Sequence, residues 1–216
     1  MAATEPRIGL RERKKRRTRE SIVRVATRLF ATRGYDATTI AEIAEEAEVA
    51  PSTLFTYFPT KADLVFSLVD AVTESARARI LGRADDEPAV SAIVSWIADD
   101  LPEVESPYVE LVREFPGIVA SNEELQAQHR LRLGRLEDVL AAAFARDLGE
   151  PEDGLRTRTM AGLALHGMVD AWSSWYEQHA SDEDFELEPV FAVKAEYVRR
   201  VLDAGREVIA VLPRPD

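Results

Sequence analysis

The side chains in this sequence best suited to chemistry are cations, and what they suit is the holding of phosphate rather than catalysis. Arg11-Glu-Arg-Lys-Lys-Arg-Arg-Thr-Arg19 is a dense basic run near the N-terminus. Such runs meet polyanions or stand as solvated tails, and the run by itself supports both readings equally. Nothing else has the spacing of a reactive site. The chain has no cysteine, which removes thiolate nucleophiles, thiolate zinc sites and disulfides and makes the cytoplasm the expected compartment. His129, His166 and His179 are isolated, without a second ligand at metal-binding spacing, so no metal is expected. Acidic pairs such as Asp99-Asp100 and Glu123-Glu124 read as solvated helix ends. There is no glycine-rich phosphate loop, nucleophile elbow or HExxH motif, so neither an enzyme nor a cofactor is expected.

A formal net charge of −12 would by itself argue against a polyanionic partner. Its distribution reverses that inference. Residues 1–65 carry 12 Lys and Arg against 9 Asp and Glu, leaving 15 against 30 for the remainder. The short N-terminal part is basic and the long C-terminal part strongly acidic, so the two have different jobs. No apolar run approaches the roughly 20 residues of a membrane span, and no membrane partner is expected.

The elements that position the cations read as helices throughout. Over residues 20–31, Ile22, Val25, Ala26, Leu29 and Phe30 recur with the period of one helix face, and Gly34 stops the helix. Thr39 with Glu42 forms a capping box opening a second helix, whose buried face is Ile40, Ile43, Ala44 and Ala47. After Glu48-Val49-Ala50, Pro51 suits the first position of a third helix, where its missing N–H would be unpaired anyway. That helix runs to about Phe58 and Pro59 breaks it. Thr60 with Asp63 caps a fourth, apolar nearly all round from Leu64 to Val72, which must link the basic part to the acidic one. Further helices are expected over residues 88–101, 108–115, 123–148 with a Ser121/Glu124 capping box, 154–178 and 188–212. No strand-length run alternates with a period of two. The expected fold is all-α with about nine helices. A basic N-terminal arm spans residues 1–18, a three-helix domain 19–60, and a larger helical domain 61–216.

Two short helices joined by a three-residue turn and preceded by a basic helix are the grammar of a helix-turn-helix. The second helix would enter the major groove, placing Pro51, Ser52, Thr53, Phe55 and Thr56 against bases or backbone, with Leu54 turned into the core. Arg16, Arg17, Tyr57 and Lys61 would hold phosphate. The helix carries no Arg, Lys, Asn or Gln, so thymine methyl contacts and DNA shape must carry more of the specificity.

The stretch Gly34-Tyr-Asp-Ala-Thr-Thr-Ile40, then Ile43-Ala44, Val49-Ala-Pro-Ser-Thr-Leu-Phe-Thr-Tyr-Phe-Pro-Thr-Lys61 and Leu64 resembles the signature of the TetR repressor family. The resemblance implies DNA contacts from Thr39 and the start of the third helix, phosphate contacts from Tyr57 and Lys61, and packing roles for Leu54 and Phe58. Two positions depart from the pattern. Ala50 stands where a serine cap is usual, and Phe55 where tyrosine is usual.

The C-terminal half is read as the sensing half. The helix over residues 154–178 is apolar around most of its circumference, and the last carries a wide stripe including Val193, Tyr197, Val201, Ala204, Val208 and Val211, so both need more than one partner. The resemblance implies that these two helices pair with their copies in a homodimer, with Ala164, Gly167 and Ala171 allowing close approach beside Tyr197, Val201 and Val208. It also implies a mainly apolar pocket, for which Phe66, Trp96, Phe115, Met168 and Trp172 are the candidates. A weaker likeness to an acyl-CoA-type effector subgroup rests on Arg113-Glu-Phe-Pro and the long helix 123–148, where Arg130, Arg132 and Arg135 could meet phosphates. A neutral or cationic hydrophobe is the rival effector. The function expected is a dimeric, ligand-released repressor of a palindromic double-stranded operator. The alternative is a small-molecule sequestering protein with a vestigial DNA-binding domain.

Overall fold

The computed structural model describes residues 9–179 and 188–213. Among them lie eleven α-helices: α1 (Leu10–Arg33), α2 (Ile40–Glu46), α3 (Pro51–Tyr57), α4 (Lys61–Val65), α5 (Ser67–Ala76), α6 (Ala89–Ser95), α7 (Leu101–Glu105), α8 (Val109–Ala120), α9 (Glu123–Leu148), α10 (Leu155–His179) and α11 (Glu188–Ala210). The fold is all-α. Two elements read as continuous in the sequence are interrupted. The fourth breaks at Phe66 (φ −92°, ψ 6°) into α4 and α5, and the stretch from residue 88 runs from α6 through a π-helical turn, Trp96–Asp100, into α7.

The chain forms two compact units. The first takes residues up to Ser67 together with Glu110–Glu123; the second takes Leu68–Val109 and the residues from Glu124. Thus α8 belongs with the helix-turn-helix, whereas the sequence reading assigned everything beyond residue 60 to the effector domain. The first eight residues of the expected arm 1–18 lie outside the described residues. From Leu10 on, that segment is the beginning of α1 and not an arm. Lys and Arg are good helix formers, and an Arg16–Glu20 pair at 3.6 Å spans one turn, so the helix extends back through the basic run.

In the N-terminal unit, Ile22, Val23, Ala26, Leu29 and Phe30 of α1 are buried, as are Ile43 and Ala44 of α2 and Leu54 of α3, with α1 packed on α2 and α4 and α2 on α3. Gly34 ends α1 at φ 88°, its N–H donating to the Phe30 carbonyl at 2.9 Å. Both predicted capping boxes at Thr39 and Thr60 are formed. The third, at Ser121, is not: its hydroxyl donates back to the Ile118 carbonyl at 2.7 Å and closes α8, while α9 begins two residues later. Nor does the helix before it stop at Phe115. It continues through Pro116, because Ile118 and Val119 beyond the proline are buried and offset the lost backbone hydrogen bond.

In the C-terminal unit, α10 and α11 pack antiparallel through glycines. Gly167 faces Val198 and Val201, and Gly205 lies so close to Leu163 and Met160 that a Cβ there would sit 2.6 Å from the leucine. Arg83, buried, clamps the α5–α6 connection to α9. Its guanidinium donates to the carbonyls of Ile80, Glu87 and Ala143 and to Asp147 at 2.7 Å, and Asp147 in turn accepts from the Ala89 N–H.

Candidate nucleic-acid interface

Helix α3 is held by one buried side chain and offers the rest. Leu54 is fully buried, while Pro51, Ser52, Thr53, Phe55 and Thr56 are exposed; Phe55, a large apolar ring, stands 49% exposed. An unpartnered aromatic on a short polar helix is a feature to be explained by a partner rather than by packing. The turn before α3 puts Glu48 at φ 55°, a left-handed conformation that costs a side chain about 1 kcal/mol. The helix starts without a side-chain cap, since Ala50 has no oxygen to offer. Ala50→Ser should therefore stabilise the protein by about 1 kcal/mol in chemical denaturation. No gain would mean that another group already serves the α3 amides.

Beside α3, an open cleft of about 390 Å³ is lined by Glu12, Lys15, Arg16 and Arg19 of α1 and by Thr56 and Tyr57. The α1 residues follow three- and four-residue spacing, so they form one stripe of the helix. Arg19 also lies over the Phe58 ring at 4.7 Å, which fixes its guanidinium at the edge of the cleft. Arg16 is thus brought together with Tyr57. Arg17 is exposed but points away from that stripe and does not line the cleft. Lys15 and Arg19 were missed by the sequence reading, although the stripe 12, 15, 16, 19 was there to be read once α1 was extended back.

Four of the candidate DNA contacts are engaged within the unit: Arg16 pairs with Glu20, the Thr56 hydroxyl donates to the Ser52 carbonyl at 2.9 Å, and Thr39 and Lys61 are held as follows. The Thr39 hydroxyl accepts from the Glu42 N–H at 3.2 Å; donation to the Glu42 carboxylate by the Thr39 hydroxyl at 2.7 Å, and then by the Thr39 backbone N–H at 2.8 Å, holds Glu42 below the ordinary carboxylate range. Lys61, half-buried, donates to the carbonyls of Tyr35 and Thr38 at 2.8 and 3.0 Å and lies 4.1 Å over the Tyr35 ring. Its ammonium ties α4 to the α1–α2 turn and keeps one N–H outside these two bonds.

The five candidate pocket residues divide between the units. Phe66 and Phe115 meet edge-on at 5.9 Å in the N-terminal unit. Trp96, Met168 and Trp172 belong to the C-terminal one, where Trp96 is buried with its indole N–H donating to Ser75 at 3.0 Å and the other two are half-buried. Among the candidate interface residues, Ala164 and Gly167 need correcting. Both are buried within the chain, Gly167 against Val198 and Val201, so their small size serves the α10–α11 contact and leaves no surface for a partner. Ala171 and Val201 are half-buried. Tyr197 and Val208 are exposed, together with Val193, Val211 and, on α10, Val169.

A recognition helix carried on a three-helix head, with a separate helical unit behind it in the chain, defines a helix-turn-helix transcriptional regulator. Residues 22–68 match the family described as bacterial regulatory proteins, tetR family, and residues 103–203 match the MftR C-terminal domain. The HTH-type transcriptional regulator TcmR of Streptomyces glaucescens is 34% identical over 167 residues, covering 72% of this chain and 71% of its own. BetI of Cronobacter sakazakii is 30% identical over 178 residues, covering 78% and 83%. The crystal structure of the regulator FadR from Bacillus subtilis in complex with stearoyl-CoA superimposes with a TM-score of 0.57 at 19% identity, over 84% of this chain and 96% of that one. The chain belongs to the TetR family of bacterial transcriptional regulators.

No helix among the described residues is long and apolar enough to cross a membrane, and they contain no cluster of three or more His, Cys, Asp or Glu able to hold a metal ion.

Proposed function

We propose that this protein is a cytoplasmic repressor that binds a palindromic operator as a homodimer and is released by a small hydrophobic effector. The observation that carries the reading is α3, anchored through Leu54 alone, with Ser52, Thr53, Phe55 and Thr56 presented to solvent beside a cleft lined by Lys15, Arg16 and Arg19. Backbone cations fix register, and the α3 side chains read groove shape and thymine methyls. Tyr57 and the free N–H of Lys61 add phosphate contacts. Two copies of α3, about 34 Å apart, would read two half-sites.

The effector acts by population shift. It favours a dimer in which the α4–α5 segment carries the two heads out of register with successive grooves, a coupling of about 1–3 kcal/mol. The solved complex of FadR with stearoyl-CoA supports a largely apolar effector. Of the three candidate cations on α9, Arg132 is held by Asp70 and Gln128, while Arg130 and Arg135 are exposed.

The test is a gel shift with the DNA upstream of the protein's own gene, run across salt concentrations. Affinity should fall steeply with salt, Arg16→Ala should weaken binding about tenfold, and each lost phosphate contact should reduce the log–log slope by about one. Binding that ignores both salt and Arg16 would leave a sequestering protein with a vestigial DNA head as the better description.

A further inference from the structure

The C-terminal unit contains one charged pair whose bonding is incomplete. Lys194 of α11 and Glu105 of α7 are both buried, with their nearest atoms 3.9 Å apart, beyond hydrogen-bonding reach. Glu105 Oε2 has no hydrogen-bond partner. The Lys194 ammonium lies 4.0 Å from the centre of the Trp172 ring and 5.0 Å from that of Phe191. Among the described residues it makes no hydrogen bond. A buried carboxylate oxygen without a hydrogen-bond partner has thus been brought beside a lysine ammonium against two aromatic faces, an arrangement that costs free energy unless something completes it.

The chemistry of the missing group follows from what each ion lacks. An anionic ligand would satisfy Lys194 and strand the Glu105 carboxylate. A cationic ligand would do the reverse, and either leaves a net charge in a desolvated site. A neutral hydroxyl accepts from the ammonium through its oxygen and donates its proton to the carboxylate, completing both at once. The aromatic faces suit a ring or other flat apolar body behind that hydroxyl. Trp172 is only half-buried, so the pair can be approached along it. We infer that Glu105 and Lys194, walled by Trp172 and Phe191, form the polar anchor of an effector site for a neutral hydroxyl-bearing hydrophobe, of the phenol or alicyclic alcohol class. This deepens the reading of the C-terminal half as a small-molecule sensor and rests on it.

The test is calorimetric titration of the full chain, without DNA, with 4-propylphenol, 4-propyltoluene, 4-propylbenzoate and 4-propylbenzylammonium. The phenol should bind at least about tenfold more tightly than each of the other three. In the double variant Lys194→Met with Glu105→Leu, checked for fold by circular dichroism, phenol and toluene should bind alike. In Glu105→Gln, which keeps the shape but weakens the acceptor, phenol binding should fall about fivefold with toluene binding unchanged. The assignment is overturned by equal binding of phenol and toluene to the natural protein, by a charged analogue binding most tightly, by a preference that survives both variants, or by no saturable binding at all. Because DNA is absent, failure to bind an operator leaves this result standing. A phenol that binds here without loosening operator contact would overturn the repressor-release reading alone.

Discussion

Lys194→Met lowers the stability of the protein by about 3 kcal/mol at neutral pH, the cost of leaving a buried charge without its partner. The lysine stem is replaced by a side chain of similar length, so packing against Trp172 and Phe191 changes little and the loss is electrostatic. Burial already holds the Glu105 carboxyl above its ordinary range, and the Lys194 charge is what opposes that rise. Without Lys194 the carboxyl climbs further. A carboxyl whose folded pKa exceeds its unfolded one contributes stability that is present below the unfolded value and lost as pH rises through the folded value. The deficit relative to the natural protein is therefore smallest in acid and grows towards neutral pH.

Lys194 itself is pushed down to about 8 by burial, with Glu105 opposing. Between there and the ordinary lysine range the unfolded chain binds more protons, so the natural protein gains stability as pH rises and the methionine variant lacks that gain. The double variant with Glu105→Leu should be as stable as the natural protein or more so, and flat in both windows, because removing both ions also removes their desolvation. Urea denaturation between acid and mildly alkaline pH measures all three. A single-variant loss below about 1 kcal/mol, or one independent of pH, would mean that the two groups are hydrated in solution.

These effects could not have been placed from the sequence, and the reason is instructive. Lys194 falls in the buried row of α11 defined by Phe191, Ala195, Val198, Leu202 and Ile209, so its position on the inner face was legible from helical period alone. What it meets there was not. Glu105 lies almost ninety residues away on a five-residue helix beyond a π-helical turn, which local periodicity does not anticipate. The features that were legible are those decided within four residues: the capping boxes at Thr39 and Thr60, Pro51 opening α3, Gly34 closing α1, and Leu54 as the inward residue of α3.

Where the reading stopped short, tertiary burial had overruled a local signal. Pro116 marks a helix end locally, yet Ile118 and Val119 pull α8 onward into a core. The same helix joins the N-terminal unit through Phe115 on Phe66, and Asn122, two residues past its end, donates its side-chain amide to Asp36 at 2.9 Å. That pairing spans more than eighty residues of sequence. The basic run is the converse case. Its charge was legible and its helicity was not, and helicity is what turns scattered cations into the stripe Lys15, Arg16 and Arg19.

Tyr197→Glu with Val208→Glu converts the protein to a monomer and weakens operator binding by about a hundredfold or more. Three large apolar residues of α11, Val193, Tyr197 and Val208, and Val211 just past its end are 43–83% exposed, and their spacing puts them on one face opposite the row that faces α10. Several large apolar residues exposed on one helix face mark an interface. Because both positions are exposed, the substitutions should change the stability of the single chain by no more than about 0.5 kcal/mol. In a dimer related by two-fold symmetry each substitution appears twice, so four carboxylates would enter one contact whose nearby cation, Arg200, is already paired with Glu196. A monomer offers one α3, and the loss of the second half-site removes the effective concentration that makes the dimer bind tightly. Ala210→Glu places the same charge on the same helix about a third of a turn off the stripe, and should leave both the mass and the operator affinity unchanged. Native mass spectrometry and gel shifts on the same samples decide the matter. A double variant that remains dimeric would move the interface off α11, and one that is monomeric yet binds the operator as before would separate dimerisation from DNA recognition.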